Sequence, residues 1–201
     1  MSDPVRKDDR RYTYRDYASW PEGERWELID GVAYSMSPAP GTNHQRLSGR
    51  LFASIHNWLS GHPGLCEVFA APFDVFLPAD PDGDDDDVDT VVQPDVAVIC
   101  DPGKLTPKGC RGAPDLVVEI VSPWTSHKDQ VLKHELYARH GVREFWVVDP
   151  GNRYVRIYRQ DPTTATRRFD EPATITESGY VDTVVLPGFT FGLAELFSSL
   201  K

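Results

Sequence analysis

Apolar positions recur along this chain with two periods, helical and strand-like, and their succession predicts the order of elements. From Asn43 to about Leu59, the residues Leu47, Leu51, Ile55, Trp58 and Leu59 fall at helical spacing and make the strongest amphipathic helix in the chain. Before it, Arg25 to Met36 reads as two short β-rich runs around Asp30-Gly31, the dipeptide that most readily makes a type I′ hairpin turn. In the first run Trp26 and Leu28 share one face, while Glu27 lies on the other with Arg25 and Ile29. A short helix is expected around Tyr14–Trp20, stopped by Pro21 and Gly23. Strands are expected at Glu67–Ala71 and Phe73–Leu77. Two near-continuous apolar runs, Asp95–Cys100 and Asp115–Ser122, have the pattern of strands buried on both faces of a sheet. A second helix is predicted from near Ser126, with Asp129 as its capping-box partner, to His140, where Gly141 ends it. Glu144–Asp149, Tyr154–Arg159, Asp170–Thr176 and Tyr180–Val185 continue the strand signal, and a short helix around Leu193–Leu200 closes the chain. No repeat or linker breaks this order. It describes one α/β domain over residues 1–201: a mixed β-sheet flanked by helices, with an N-terminal hairpin. Residues 1–11 are charged and expected as a flexible tail, and 79–91 as an acidic loop.

Composition narrows the class. A chain of 201 residues, 40% of them hydrophobic, can bury a sizeable core. No apolar run approaches the ~20 residues of a membrane span, and Met1 to Lys7 contains no apolar signal region. The three cysteines, Cys66, Cys100 and Cys110, are odd in number and form no CxxC pair, which argues against a disulfide framework or a cysteine zinc site. A reduced, cytoplasmic protein without a membrane partner is expected. The net charge of −10 argues at first against a nucleic-acid partner. Seven aspartates lie between Asp80 and Asp89, however, and taking them away leaves −3. That run reads as a solvated, self-repelling loop rather than a calcium loop, because no bidentate Glu follows at EF-hand spacing. Arginines concentrate in Val5–Arg15 and Arg153–Arg168, where they suit either phosphate contacts or solvated strand edges.

Several chemistries are excluded by pattern. The chain has no GxxxxGK[ST] phosphate loop, no GxGxxG and no GxSxG. Its six histidines form no HExxH, and His44, His56, His127, His134 and His140 read as polar helix or loop positions. What stands out is acids in apolar strands. Glu119 sits inside Leu116-Val-Val-Glu-Ile-Val121, and Asp95 opens the other apolar run directly after Pro94. A bare buried carboxylate is costly, so it neutralises, pairs with a cation or binds a metal. Two such acids close together make a hard-oxygen site suited to Mg²⁺. Asp129, Lys133 and Tyr137 share one helical stripe, and on spacing alone a surface ion pair of Lys133 with Asp129 is the simpler reading. Gln93 suits a site wall or a strand-edge hydrogen bond equally.

Five segments share a further pattern: Glu27-Leu-Ile-Asp-Gly31, Gln93-Pro-Asp-Val-Ala97, Asp115-Leu-Val-Val-Glu-Ile-Val-Ser-Pro123, Asp129…Lys133…Tyr137, and Gly141-Val-Arg-Glu-Phe-Trp-Val-Val-Asp-Pro150. In this order, from about Tyr12 to Tyr158, the chain resembles the restriction-endonuclease-like branch of the PD-(D/E)xK nuclease superfamily. The resemblance implies a restriction-endonuclease-like fold and a deoxyribonuclease that hydrolyses phosphodiester bonds with Mg²⁺, Mn²⁺ serving as a substitute. It makes Asp95 the "PD" aspartate and Glu119 the second carboxylate, which with the Ile120 carbonyl would hold the ion. Glu27 matches an additional upstream acid that completes a second, weaker metal site or fixes the first ion's water shell. The superfamily's lysine normally follows two residues after the second acid, where this chain has Val121, so the resemblance points to Lys133 on the next helix. DNA is the implied partner, and cutting both strands at one place implies a homodimer. Two other readings stand beside this one. The domain could be a catalytically inactive version of the same fold, used in nucleic-acid or protein binding. Alternatively, the acids are structural and paired with arginines such as Arg25 or Arg143.

Overall fold

In the computed structural model, residues 5–21, 23–36, 41–121, 127–161, 166–198 and 200 are described, with the backbone alone at 127–129. A short helix α1 (Tyr14–Tyr17) leads into the hairpin β1 (Trp26–Ile29) and β2 (Val32–Ser35). Asp30 and Gly31 between them both adopt positive φ, 50° and 73°, as a type I′ turn requires. The long helix α2 (Thr42–Gly61) precedes the strands β3 (Glu67–Ala70), β4 (Val75–Phe76), β5 (Val91–Val92), β6 (Val96–Ile99), β7 (Leu105–Thr106), β8 (Gly109–Arg111) and β9 (Leu116–Ile120). Helix α3 (His127–His140) connects β9 to β10 (Glu144–Asp149). The chain ends with β11 (Tyr154–Arg159), β12 (Ala173–Thr176), β13 (Tyr180–Asp182), β14 (Thr190–Gly192) and α4 (Leu193–Phe197). The expected capping box at Ser126 and Asp129 lies outside the described residues. Gly141, at φ +89°, ends α3 as its sequence position predicts.

The fold class is the expected mixed α/β, but the strands divide between two six-stranded sheets and a small pair. One sheet runs β2-β1-β5-β4-β8-β7, the other β12-β11-β10-β9-β6-β3, and β13 pairs with β14. The division escapes the hydrophobic pattern because β5, β7 and β8 are only two or three residues long. In the second sheet β9 and β10 are parallel, joined by the crossover helix α3, while β6 pairs antiparallel with β9. Alternation along the strands sorts the side chains. Val96, Val98, Leu116, Val118 and Ile120 pack with Leu47, Leu51 and Ile55 of α2 and with Leu193, Leu196 and Phe197 of α4. Ala97, Ile99, Val117, Phe145 and Val147 pack on the opposite face with Leu136 and Tyr137 of α3 and with Ile29, Tyr34 and Val92 of the first sheet. The second sheet is thus covered on both sides, as its continuous apolar runs require. Each fully buried leucine of α2 contributes about 1.5–3 kcal/mol of transfer free energy to this arrangement.

Three expectations change. Residues 5–12 are not a free tail but lie along the hairpin: Lys7 N–H donates to the Ala33 carbonyl, Tyr12 N–H to that of Gly31, and Ser35 N–H to that of Val5. Tyr12 is buried with Leu28 and Phe76, against Tyr14, Trp20 and Trp26, and this aromatic burial anchors the segment. The acidic loop is not left to repel itself. Arg111 pairs with Asp85 at 2.6 Å and donates to the carbonyls of Pro81 and Gly83, while Arg15 stands 3.6 Å from Asp86 and 3.5 Å from Asp87. Finally, Cys66 and Cys100 are joined in a disulfide. They continue the β3–β6 register one step beyond Glu67↔Ile99, so the two cysteines face each other across the pair and leave Cys110 as the odd, buried thiol. Among the described residues no helix is long and apolar enough to cross a membrane.

Candidate active site

Register is what brings the two strand acids together. β6 and β9 pair antiparallel with Val96 opposite Val118, and one further step sets Asp95 opposite Glu119. Asp95 Oδ2 accepts the Ile120 N–H at 2.7 Å, tying the first acid to the residue that follows the second. Glu119 shares its face of the sheet with Val117 and so points toward α3, not toward α2. There the i, i+4 pair Lys133 and Tyr137 meets it: Lys133 Nζ lies 3.0 Å from Glu119 Oε1, and the Tyr137 hydroxyl donates to the same oxygen at 2.7 Å. The Lys133 ammonium also lies 3.1 Å from both carboxylate oxygens of Glu27, which β1 of the other sheet delivers on the face of Ile29. Glu27 and Lys133 are buried, 6% and 8% exposed. Glu27, Asp95, Glu119 and Lys133, named from the sequence on separate elements, therefore form one cluster where the two sheets and α3 meet. Lys133 is not a surface position. The Asp129 side chain lies outside the described residues.

The supports behind the cluster are polar as well. Gln93 N–H donates to Glu27 Oε1 at 2.8 Å, while its side-chain amide donates to Asp74 at 2.8 Å and reaches the Tyr17 hydroxyl at 3.2 Å. The main-chain N–H of Gln93 makes its bond at the end of β5, and its side chain lies on the wall of an open pocket that contains none of the four clustered residues. That pocket, about 280 Å³, is lined by Pro72, Phe73, Asp74, Gln93 and Thr106–Gly109. Ile120 contributes its amide to Asp95. Its carbonyl was the group expected at the ion. Arg143 pairs with Asp115 at 3.3 Å rather than with either site acid.

The electrostatics distinguish this cluster from an ordinary buried acid. Burial, together with the neighbouring Asp95 and Glu27 carboxylates, pushes the Glu119 carboxyl up to about 8 against the opposing pull of Lys133. Burial and the adjacent Glu119 likewise raise the Tyr137 hydroxyl well above its usual range. Glu144, fully buried at the start of β10, is the contrast. It accepts from Trp146 Nε1, the Thr183 hydroxyl and the Val184 amide, and its hydrogen bonding is structural. Glu119 instead meets Lys133, which also meets Glu27, and 18% of its side chain is still exposed. Among the described residues the Glu27, Asp95 and Glu119 carboxylates gather around this ammonium, with the His44 imidazole beside Asp95.

Sequence reasoning missed two groups here. His44, read as a plain polar position, has Nε2 3.1 Å from Asp95 Oδ2. Its signal was available, since it stands one turn ahead of Leu47 on the apolar stripe of α2. Asp74 gave no signal, because only the folded chain brings it to Gln93 and Tyr17, which share no spacing with it.

The donor set fits a hard divalent ion only in part by itself. Among the described residues no three His, Cys, Asp or Glu side chains gather closely enough to enclose a metal. Mg²⁺, however, is usually held by one or two carboxylates with water and substrate phosphate completing its shell. Asp95 and Glu119, opposite each other across β6 and β9, are the two carboxylates available for such a pair.

A family model described as Uma2, putative restriction endonuclease, matches residues 14–188 of the chain. An uncharacterized protein of Synechocystis sp. is 28% identical over 149 residues, which cover 73% of each chain. The fold is similar to that of a putative nuclease belonging to DUF820 from Anabaena variabilis, solved as a crystal structure at 1.96 Å. The TM-score is 0.72 at 19% identity, over 92% of this chain and 97% of that one. At that identity the likeness is one of fold.

Proposed function

We propose, from the premise that this chain belongs to the Uma2 family of putative restriction endonucleases, that it is a Mg²⁺-dependent deoxyribonuclease hydrolysing phosphodiester bonds at the Glu27–Asp95–Glu119–Lys133 cluster. One observation carries the reading: a single buried ammonium is shared by acids from two different sheets, with a further carboxylate tied to the next residue's amide. The cluster gathers the Glu27, Asp95 and Glu119 carboxylates around one point, and it keeps Glu119 partly exposed.

Asp95, Glu119 and the Ile120 carbonyl are the groups that would hold the ion, with Glu27 fixing its water shell or a second, weaker ion. Bound there, Mg²⁺ supplies positive charge against a non-bridging phosphate oxygen and acidifies water. The chain's own residues supply the rest. Lys133, held at 3.0–3.1 Å by two acids, places a donor and a positive charge where negative charge develops as water adds to phosphorus. Glu27, fixed by the Gln93 amide, keeps that ammonium from swinging to solvent. Tyr137 holds Glu119 Oε1 and so sets the orientation of the carboxylate. DNA is the proposed substrate, the proposed active form is a homodimer with one site for each strand, and the cytoplasm is the proposed compartment.

The test is nicking of supercoiled plasmid in Mg²⁺, in Mn²⁺ and in chelator. Cleavage by the unmodified chain in either ion, its loss in chelator and its loss in Glu119→Gln are the expected results. Equal cleavage by Glu119→Gln refutes the assignment.

A further inference from the structure

The first turn of α2 makes a contact that the catalytic reading does not use. His44 lies three residues before Leu47 and seven before Leu51, both fully buried against the second sheet, so packing of the helix turns its imidazole toward the sheet end where Asp95 sits. The imidazole and the Asp95 carboxylate are 14% and 16% exposed, with Nε2 and Oδ2 3.1 Å apart. One turn further along α2, Ser48 Oγ stands 3.5 Å from the Asp95 carbonyl oxygen. Asp95 Oδ2 thus accepts the Ile120 N–H at 2.7 Å and has His44 Nε2 3.1 Å away as an ion-pair contact. Two nitrogens against one oxygen restrict the rotation of the carboxylate plane more than one does.

His44 Nδ1 is buried and has no hydrogen-bond partner among the described residues. An apolar side chain would fill the same space without that unsatisfied atom. The cost of the imidazole is offset by what Nε2 does.

We propose that His44 is a positioning residue: its Nε2–Asp95 Oδ2 contact holds the Asp95 carboxylate in the orientation that receives a divalent cation. This deepens the proposed function and rests on Asp95 being a ligand there. Residues that orient a ligating side chain through a hydrogen bond typically change metal affinity by about 10–100-fold when removed. The substitution His44→Gln would place an amide donor near the position of the imidazole Nε2, whereas His44→Ala would leave only the Ile120 amide to hold Asp95.

The experiment is a Mn²⁺ titration of the full chain by calorimetry or electron paramagnetic resonance, without DNA, for the unmodified protein and for His44→Ala, His44→Gln and Asp95→Ala. Expected are loss of the site in Asp95→Ala, affinity weakened about 10–100-fold in His44→Ala, and affinity restored to within a few-fold in His44→Gln. Unchanged affinity in His44→Ala, with the site lost in Asp95→Ala, overturns the role of His44 and leaves the catalytic reading standing. Equal weakening in both His44 variants also overturns it, because the donor at Nε2 would then not be what matters. Full affinity in Asp95→Ala, or no Mn²⁺ binding by the unmodified protein, removes the ion site and this inference with it. Near-UV circular dichroism of each variant checks folding. Should His44→Ala fail to fold, His44→Gln must bind Mn²⁺ as the unmodified chain does, and weakened binding there overturns the role.

Discussion

Glu119→Gln should make the protein more stable, by an amount that grows with pH. The carboxyl is raised to about 8 by burial and by Asp95 and Glu27, from 4.5 for a free glutamate. The folded chain therefore holds a proton that the unfolded chain has released, and stability falls as pH rises from the ordinary carboxylate range through about 8. Each unit in that window costs the unmodified protein about 1.4 kcal/mol, hence about 3 kcal/mol between pH 5 and pH 7. Water at the 18% of the side chain still exposed works against desolvation, which lowers the top of this window and makes the 3 kcal/mol an upper value. The amide introduced by Glu119→Gln is uncharged throughout and keeps an oxygen for Lys133 and Tyr137. At pH 5 acid and amide should be nearly equal in stability. At pH 7 the variant should melt roughly 6–12 °C higher, taking 2–4 °C per kcal/mol for a chain of this size. Melting both proteins in chelator at pH 5, 6, 7 and 8 measures the difference directly, since every other titrating group is common to the two. Saturating Mg²⁺ should shrink the difference, because the cation replaces the proton. Parallel stability curves over the whole range would show Glu119 ionised in the folded chain and would refute its raised carboxyl.

Other consequences are as direct. Lys133→Ala should lower cleavage by about 10²–10³-fold while changing Mn²⁺ affinity far less, because an ammonium donates but does not ligate; cleavage at the normal rate would refute its role. Asp95→Asn should lose the rise in melting temperature that divalent ion gives the unmodified protein, about 2.7 kcal/mol of stabilisation at a hundredfold excess over Kd; an equal rise in both excludes Asp95 from the ion site. Arg153 is already paired with Glu177, and Arg159 with Asp182, so replacing both by Gln should change the slope of log affinity against log salt by well under the ~0.9 per phosphate of a free contact. A loss of the full ~1.8 would show that DNA breaks those pairs. Sedimentation with DNA and Ca²⁺ should show a dimer, and monomer alone at micromolar concentration would refute the two-site arrangement.

How much of this was legible in the chain depends on the distance over which each feature is decided. The hairpin, α2, β6, β9, α3, β10 and β11 were readable because their periodicity is carried by their own residues, and Asp30-Gly31 and Gly141 need only local φ. The two-sheet division, the anchoring of residues 5–12 and the Cys66–Cys100 bond depend on partners elsewhere in the chain, and local pattern is silent about those. The site shows both cases at once. Glu119 and Asp95 announced themselves as acids in apolar strands, a conflict that needs some resolution. Lys133 was indicated only by the resemblance, because by spacing alone, at i+4 from Asp129, it looks like any exposed helix cation. Its burial follows from three long-range facts: β9 runs parallel to β10, the crossover helix must therefore lie across the Glu119 face, and the hairpin brings Glu27 to the same place. A lysine two residues after the acid would reach the same face from the strand itself. From α3 the long side chain approaches from above the sheet, so the ammonium can occupy a comparable position although its sequence position has moved. In this chain the Lys133 ammonium meets acids from two sheets, and a spacing rule written along the chain cannot express that.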